Sequence, residues 1–178
     1  MSDFPASKPT RLLLGVIIAT LTATACVEPV EQTGSPATVD TIGAARLIQP
    51  REASAPYEQV AIPYVLCDMD LDDVDIDVEV CEDGSDTCGS PVQGFGSDGT
   101  VAIPTRPCDL GGSSHLFVWD VCVGIMNAST KTLSRPSPDT SYTVTIRQGA
   151  SAETTAPFDL ASLGLGDLAS NCASGIGE

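Results

Sequence analysis

Seven consecutive residues, Val74-Asp75-Ile76-Asp77-Val78-Glu79-Val80, alternate without exception between a β-branched apolar side chain and an acid. Successive side chains of a β-strand point to opposite faces. The run therefore reads as a strand with one core face and one solvent face. A slip of one residue in its pairing would bury three carboxylates, so its register is strongly specified. A chain carrying such a segment is committed to a sheet with one side covered.

Other segments follow the same period, separated by turn residues, which is the pattern of an all-β sandwich. Residues 44–48 predict a short first strand. Val60, Ile62, Tyr64 and Leu66 alternate with Gln59, Ala61, Pro63 and Val65. Pro63 has no N–H for a ladder, which places this strand at an edge or interrupts it locally. Residues 82–86 read as a hairpin loop, and 100–103 as a short strand after the turn marked by Gly94, Gly96 and Gly99. Residues 115–121, HLFVWDV, are the most apolar strand and hold the single tryptophan, which suggests a central position. Tyr142, Val144 and Ile146 form a further strand, and 155–160 a final half-strand. The small-residue tail from Ser162 is ordered mainly if Cys172 ties it down.

The N-terminus has a different grammar. Lys8 and Arg11 precede an apolar run of about ten residues from Leu12 to Leu21, the proportions of a secretory signal. A membrane-spanning helix needs about 20. The run closes on Ala23-Thr24-Ala25 before Cys26, a pattern that resembles a bacterial lipobox, in which the cysteine thiol receives a diacylglycerol group. Ala23 stands where lipoboxes usually carry Leu, and ordinary cleavage after Ala25 is the alternative. Seven cysteines support lipidation: with Cys26 acylated, six remain, enough for three disulfides in an oxidising compartment. No C-x-x-C occurs and the single histidine lies at no usual ligand spacing, so zinc is disfavoured. Losing residues 1–25 removes Asp3, Lys8 and Arg11 from 24 acids and 8 bases, leaving 23 and 6, net −17, on 153 residues. That charge argues against nucleic acid and anionic headgroups and makes cations the natural small partners. The predicted organisation is a signal peptide over 1–25, a lipid-anchored flexible tether over 26–43, a sandwich over 44–161 and a tail over 162–178.

The pieces VAIPYVLCD, DVDIDVEVCEDG, DGTVAIPT, HLFVWDV and TTAPFDL, in that order, resemble the immunoglobulin/fibronectin-III-like modules of bacterial surface and secreted proteins. The resemblance covers residues 59–160 and implies a disulfide-bonded sandwich of about seven strands, with no particular activity. Six cysteines and a single copy depart from relatives that often form cysteine-poor tandem arrays. In the implied topology the ends of residues 60–66 and 115–121 share a pole. That pairs Cys67 with Cys122, Cys81 with Cys88, and Cys108 with Cys172, one of the 15 connectivities that six cysteines allow.

The sharpest chemical candidate is Asp68-Met69-Asp70-Leu71-Asp72-Asp73, whose alternating carboxylates can converge on a hard cation. Glu79 falls at the twelfth position, but Asp73 replaces the sixth-position glycine and Glu79 belongs to a strand, which argues against an EF-hand. The leading reading is a solvated acidic loop and strand face, with a looser calcium site using Asp68, Asp70 and Asp72 as the alternative. His115 adjoins Ser113 and Ser114, yet no G-x-S-x-G elbow exists. Asp120 is expected to bond loop backbone, and Phe117 and Trp119 to fill the core. The resulting expectation is a non-enzymatic envelope lipoprotein, an interaction or structural module with a membrane anchor and an unknown protein partner, without cofactor. Val27 after the lipid cysteine, in place of aspartate, tilts the location to the outer membrane. A calcium-dependent binding domain is the first alternative, and a hydrolase with an unrecognised site the second.

Overall fold

The structure is a computed structural model that describes residues 35–48, 58–85 and 88–173. The signal segment, Cys26 and the start of the tether lie outside these residues. Eleven strands follow one another: β1 (Thr38–Ile42), β2 (Arg46–Ile48), β3 (Gln59–Cys67), β4 (Asp77–Glu82), β5 (Cys88–Pro91), β6 (Ser113–Asp120), β7 (Ile125–Asn127), β8 (Leu133–Ser134), β9 (Ser141–Gln148), β10 (Ser151–Thr154) and β11 (Phe158–Asp159). A 3-10 turn, Cys108–Leu110, precedes β6, and a short helix α1, Leu168–Ala173, follows β11.

They form two sheets. In the first, β3 pairs along one side with β6, from Gln59 opposite Asp120 to Leu66 opposite Ser113, and along the other with β1 and β2. In the second the order is β10-β9-β4-β5-β7-β8, with β11 also on β9. Val39, Val60, Ile62, Tyr64, Leu66, Phe117 and Trp119 of the first sheet share one core with Val78, Val80, Tyr142, Val144 and Ile146 of the second. The arrangement is consistent with a β-sandwich. Trp119 and Tyr142 meet across the two sheets edge to face, ring centres 5.8 Å apart. The indole N–H donates to the Gly124 carbonyl at 3.1 Å.

The alternating run behaves as its pattern requires. Val74, Ile76, Val78 and Val80 are buried, while Asp75 and Asp77 are exposed. Only its second half is ladder, however: Val74 makes an isolated bridge to Ile103, and β4 starts at Asp77. Residues 100–103 are not a strand, because Ala102 takes a left-handed backbone (φ 52°) that breaks extension.

Pro63 does not put β3 at an edge. Its carbonyl accepts from Gly43 N–H at 2.7 Å. The N–H and C=O of a strand residue point the same way, so its missing donor faces residues 43–45, where the partner strand breaks into β1 and β2. A Cβ on Gly43 would lie 2.7 Å from Pro63 Cγ. The edge of β9 is broken similarly: the Thr155 hydroxyl accepts from Val144 N–H at 3.0 Å, and Pro157 separates β10 from β11. The far side of β6 is covered by irregular chain, with Gly94 and Asp98 donating to the Val118 and Leu116 carbonyls. The outermost strand of the second sheet, β8, has two residues. Such breaks help turn about seven expected strands into eleven short ones.

Residues 38–42, expected in the tether, form β1. The segment has too few apolar residues to show a period, and its order comes from pairing with β3 and from buried Ala37 and Val39. One disulfide joins Cys81 to Cys88 across the β4–β5 hairpin. The other joins Cys122 to Cys172, which corrects the expected pairings of Cys67 with Cys122 and of Cys108 with Cys172. The reason is the β3–β6 register. These neighbours are antiparallel, so Cys67 at the end of β3 lies beside the start of β6, at the pole opposite Cys122. The bond holds the tail, where Leu165, Leu168 and Cys172 are buried.

Candidate functional site

The acidic loop is laid along a second loop and fastened to it. Asp68 N–H donates to the Arg106 carbonyl at 3.0 Å, Thr105 Oγ1 to the Asp72 carbonyl at 2.7 Å, and Ile76 N–H to the Thr100 carbonyl at 2.9 Å. Val74 and Ile103 exchange bonds in both directions. The Asp75 carboxylate accepts from Ala102 N–H at 2.9 Å. This pair of segments presents exposed Met69, Leu71 and Val101 among acids. Leu71, like Ala102, is a non-glycine residue held left-handed, at φ 63°.

The three carboxylates expected to share a cation are not brought together. Asp68 is buried, and its Oδ1 accepts from Asp70 N–H at 3.0 Å, while Asp70 and Asp72 are exposed. Among the described residues, the side-chain sets with three ligand atoms within 4.8 Å of one another are Asp40, Cys67 and Cys108, and Glu79, Cys81 and Cys88. The second set contains both sulfurs of a disulfide.

His115 faces the core side at the start of β6, across from Tyr64, with ring centres 5.4 Å apart. Its Nε2 lies 2.8 Å from the Pro104 carbonyl, an acceptor, so Nε2 carries the proton of that bond. Its Nδ1 lies 3.5 Å from Asp98 Oδ2, an atom that also accepts from Leu116 N–H at 2.7 Å. The imidazole thus buttresses the loop over residues 98–104. The Tyr64 hydroxyl is buried without a hydrogen-bond partner among the described residues. Burial first, and then the Asp98 charge, push its phenol well above the ordinary value. Asp98 was invisible as a partner of His115 in the sequence; the GSDG turn that carries it signals only a reversal.

The same economy recurs elsewhere. Asp120, buried, accepts from Cys122 N–H and Val123 N–H at 3.0 and 3.2 Å, closing the turn after β6. Asp159 accepts from Ser162 N–H. Asp167 accepts from Ser170 N–H at 3.1 Å, and hydrogen bonding to Ser170 holds its carboxyl below the usual range. Short acidic side chains commonly lock turns in this way. Two depressions of about 220 and 270 Å³ lie on the β4–β5 side. Their linings include Asp77, Ser90 and Gln93 in one and Glu79, Gly89 and Arg147 in the other, but neither His115 nor the 68–72 carboxylates.

Fold and geometry together define a mostly-β, two-sheet domain with two disulfides. Compared with protein families, with curated proteins and with solved structures, the chain matches none.

Proposed function

We propose that this chain is a non-enzymatic interaction or structural module of a bacterial cell envelope, an immunoglobulin/fibronectin-III-like sandwich held to the outer membrane through a lipidated Cys26. The observation that supports the non-catalytic reading is how its histidine and many of its aspartates are used. Asp68, Asp75, Asp98, Asp120, Asp159 and Asp167 accept from backbone N–H groups, and His115 is bonded to a carbonyl. A general acid or base must instead reach a reacting group. The partner-facing surface is the fastened loop pair, where Met69, Leu71 and Val101 stand exposed among Asp70, Asp72, Asp73 and Asp75. Apolar side chains ringed by acids suit a partner patch that is apolar and basic.

Two measurements test this. Labelled palmitate is expected to enter the wild-type chain in cells and to be lost in Cys26→Ser; incorporation that persists in the variant removes the anchor. A photo-crosslinking residue placed at Leu71 or Val101 in intact cells is expected to give one discrete adduct. The same residue at Leu133, exposed on β8, is the control. Equal labelling at all three positions would leave the loop pair without a binding role.

A further inference from the structure

Four of the six described cysteines are bonded, and the remaining two, Cys67 and Cys108, are neighbours in space though 41 residues apart in sequence. Their sulfurs and a carboxylate oxygen of Asp40 lie within 4.8 Å of one another. Three local devices bring them there. Cys67 ends β3 beside Arg106, two residues before Cys108, and the Asp68 N–H bond to the Arg106 carbonyl pins the two chains. Cys108 opens the 3-10 turn, whose return is tightened by Gly111 N–H to the Cys108 carbonyl at 2.9 Å and Gly112 N–H to the Pro107 carbonyl at 3.1 Å. Gly112 is left-handed (φ 65°), and a Cβ there would lie 2.9 Å from Cys67 Sγ and 2.5 Å from Val65 Cγ1. The turn thus closes over the buried sulfur only because that residue is glycine. Asp40 arrives by a β-bulge: Val39 faces Leu66 and Thr41 faces Val65, so Asp40 is the extra residue.

We propose that Cys67 and Cys108 form a redox couple, a dithiol that closes to a third disulfide by exchange with a small external disulfide. The two members are unequal, which sets the order of events. Cys108 is exposed and Cys67 buried, so the incoming disulfide meets Cys108 first. The Cys67 thiol is pushed up to about 12 by burial first, then by its hydrogen bond with Cys108, with the charges of Cys108 and Asp40 adding. At neutral pH it therefore waits as a thiol. Cys108 gives its proton to water and attacks one sulfur of the external disulfide RSSR, forming a mixed disulfide and releasing the first RS⁻. Cys67 then gives its proton to water and attacks Cys108 Sγ, expelling the second RS⁻. Two S–H bonds are lost, one S–S bond is formed, and the two electrons leave on RSSR, which becomes two RSH once both protons are taken up. Closing the bond would tie the end of β3, from which the 68–73 loop departs, to the turn at Cys108.

The test uses the full-length chain, purified without reductant, treated with oxidised glutathione, then alkylated under denaturing conditions and mapped by peptide mass. The expected result is a peptide linking Cys67 to Cys108, with both thiols lost to alkylation and the two existing disulfides unchanged. Cys108→Ser should abolish the linked peptide and leave Cys67 an alkylatable thiol after the same oxidation. Asp40→Asn removes a charge that helps to hold the proton on Cys67, so the glutathione adduct on Cys108 should resolve faster than in the wild-type chain. Three outcomes would overturn the proposal: two alkylatable thiols after oxidation, a glutathione adduct that never resolves in the wild-type chain, or a tightly held metal ion that blocks both sulfurs.

Discussion

Replacing Cys122 and Cys172 together by alanine is expected to lower the stability of the domain by about 4 kcal/mol. The bond spans a sequence separation of 50. In the chain-entropy account a closed loop of that size removes about 4 kcal/mol of unfolded-state freedom, against about 2 kcal/mol for the Cys81 to Cys88 bond at a separation of 7. The longer bond also carries a structural duty that the hairpin bond lacks, because it fastens α1 and the preceding chain over buried Leu165 and Leu168. Denaturant unfolding of the double alanine variant beside the parent measures the loss. Amide exchange at Leu165 and Leu168 should rise by more than at Val144 on β9. A loss below about 1 kcal/mol would mean that the tail docks by burial alone and that the loop-entropy account fails here.

Trp119→Ala is expected to cost about 3–5 kcal/mol, the range for deleting a large buried aromatic. Trp119 is fully buried and touches Tyr142 edge to face, so it is the largest of the core side chains through which one sheet packs on the other. Trp119→Phe separates two contributions. It keeps apolar volume between the sheets but removes the indole N–H from the Gly124 carbonyl, which still accepts from Val92 N–H at 3.0 Å, so the hydrogen-bond loss is about 0.5–1.5 kcal/mol. Thermal and denaturant melts of both variants give the comparison. Equal destabilisation by Ala and Phe would shift the weight from packing to the hydrogen bond.

What could be read from the sequence divides by range. The faces of residues 74–80 and the apolar face of β3 were legible because period-two alternation is a local property that burial in one core enforces. Asp120 as a turn-locking acid was legible for the same reason: its partners, Cys122 and Val123, are two and three residues away. The cysteine partners required the β3–β6 register, a long-range property that no spacing encodes, and the expectation that Cys67 and Cys122 share a pole failed on the antiparallel relation of those strands. β1 was missed because its order comes from pairing with β3 and from burial of Val39, neither of which its short, mostly polar sequence announces. The 68–73 acids were visible as a cluster, yet their directions were not. Asp68 turning inward onto Asp70 N–H is a loop-conformational fact that the D-x-D-x-D spacing leaves open.

The broken margins of the two sheets have a consequence for how copies of this chain meet one another. An unpaired strand edge is a template for intermolecular β-pairing and aggregation. Here each margin is spoiled by a different means. One is bulged at Asp40 and interrupted opposite Pro63, one is covered by the chain around Gly94 and Asp98, one is divided at Pro157, and one ends in a strand of two residues. A domain built with these four margins can be packed at high local density, the condition that the proposed anchor would impose, without its strands joining those of its neighbours.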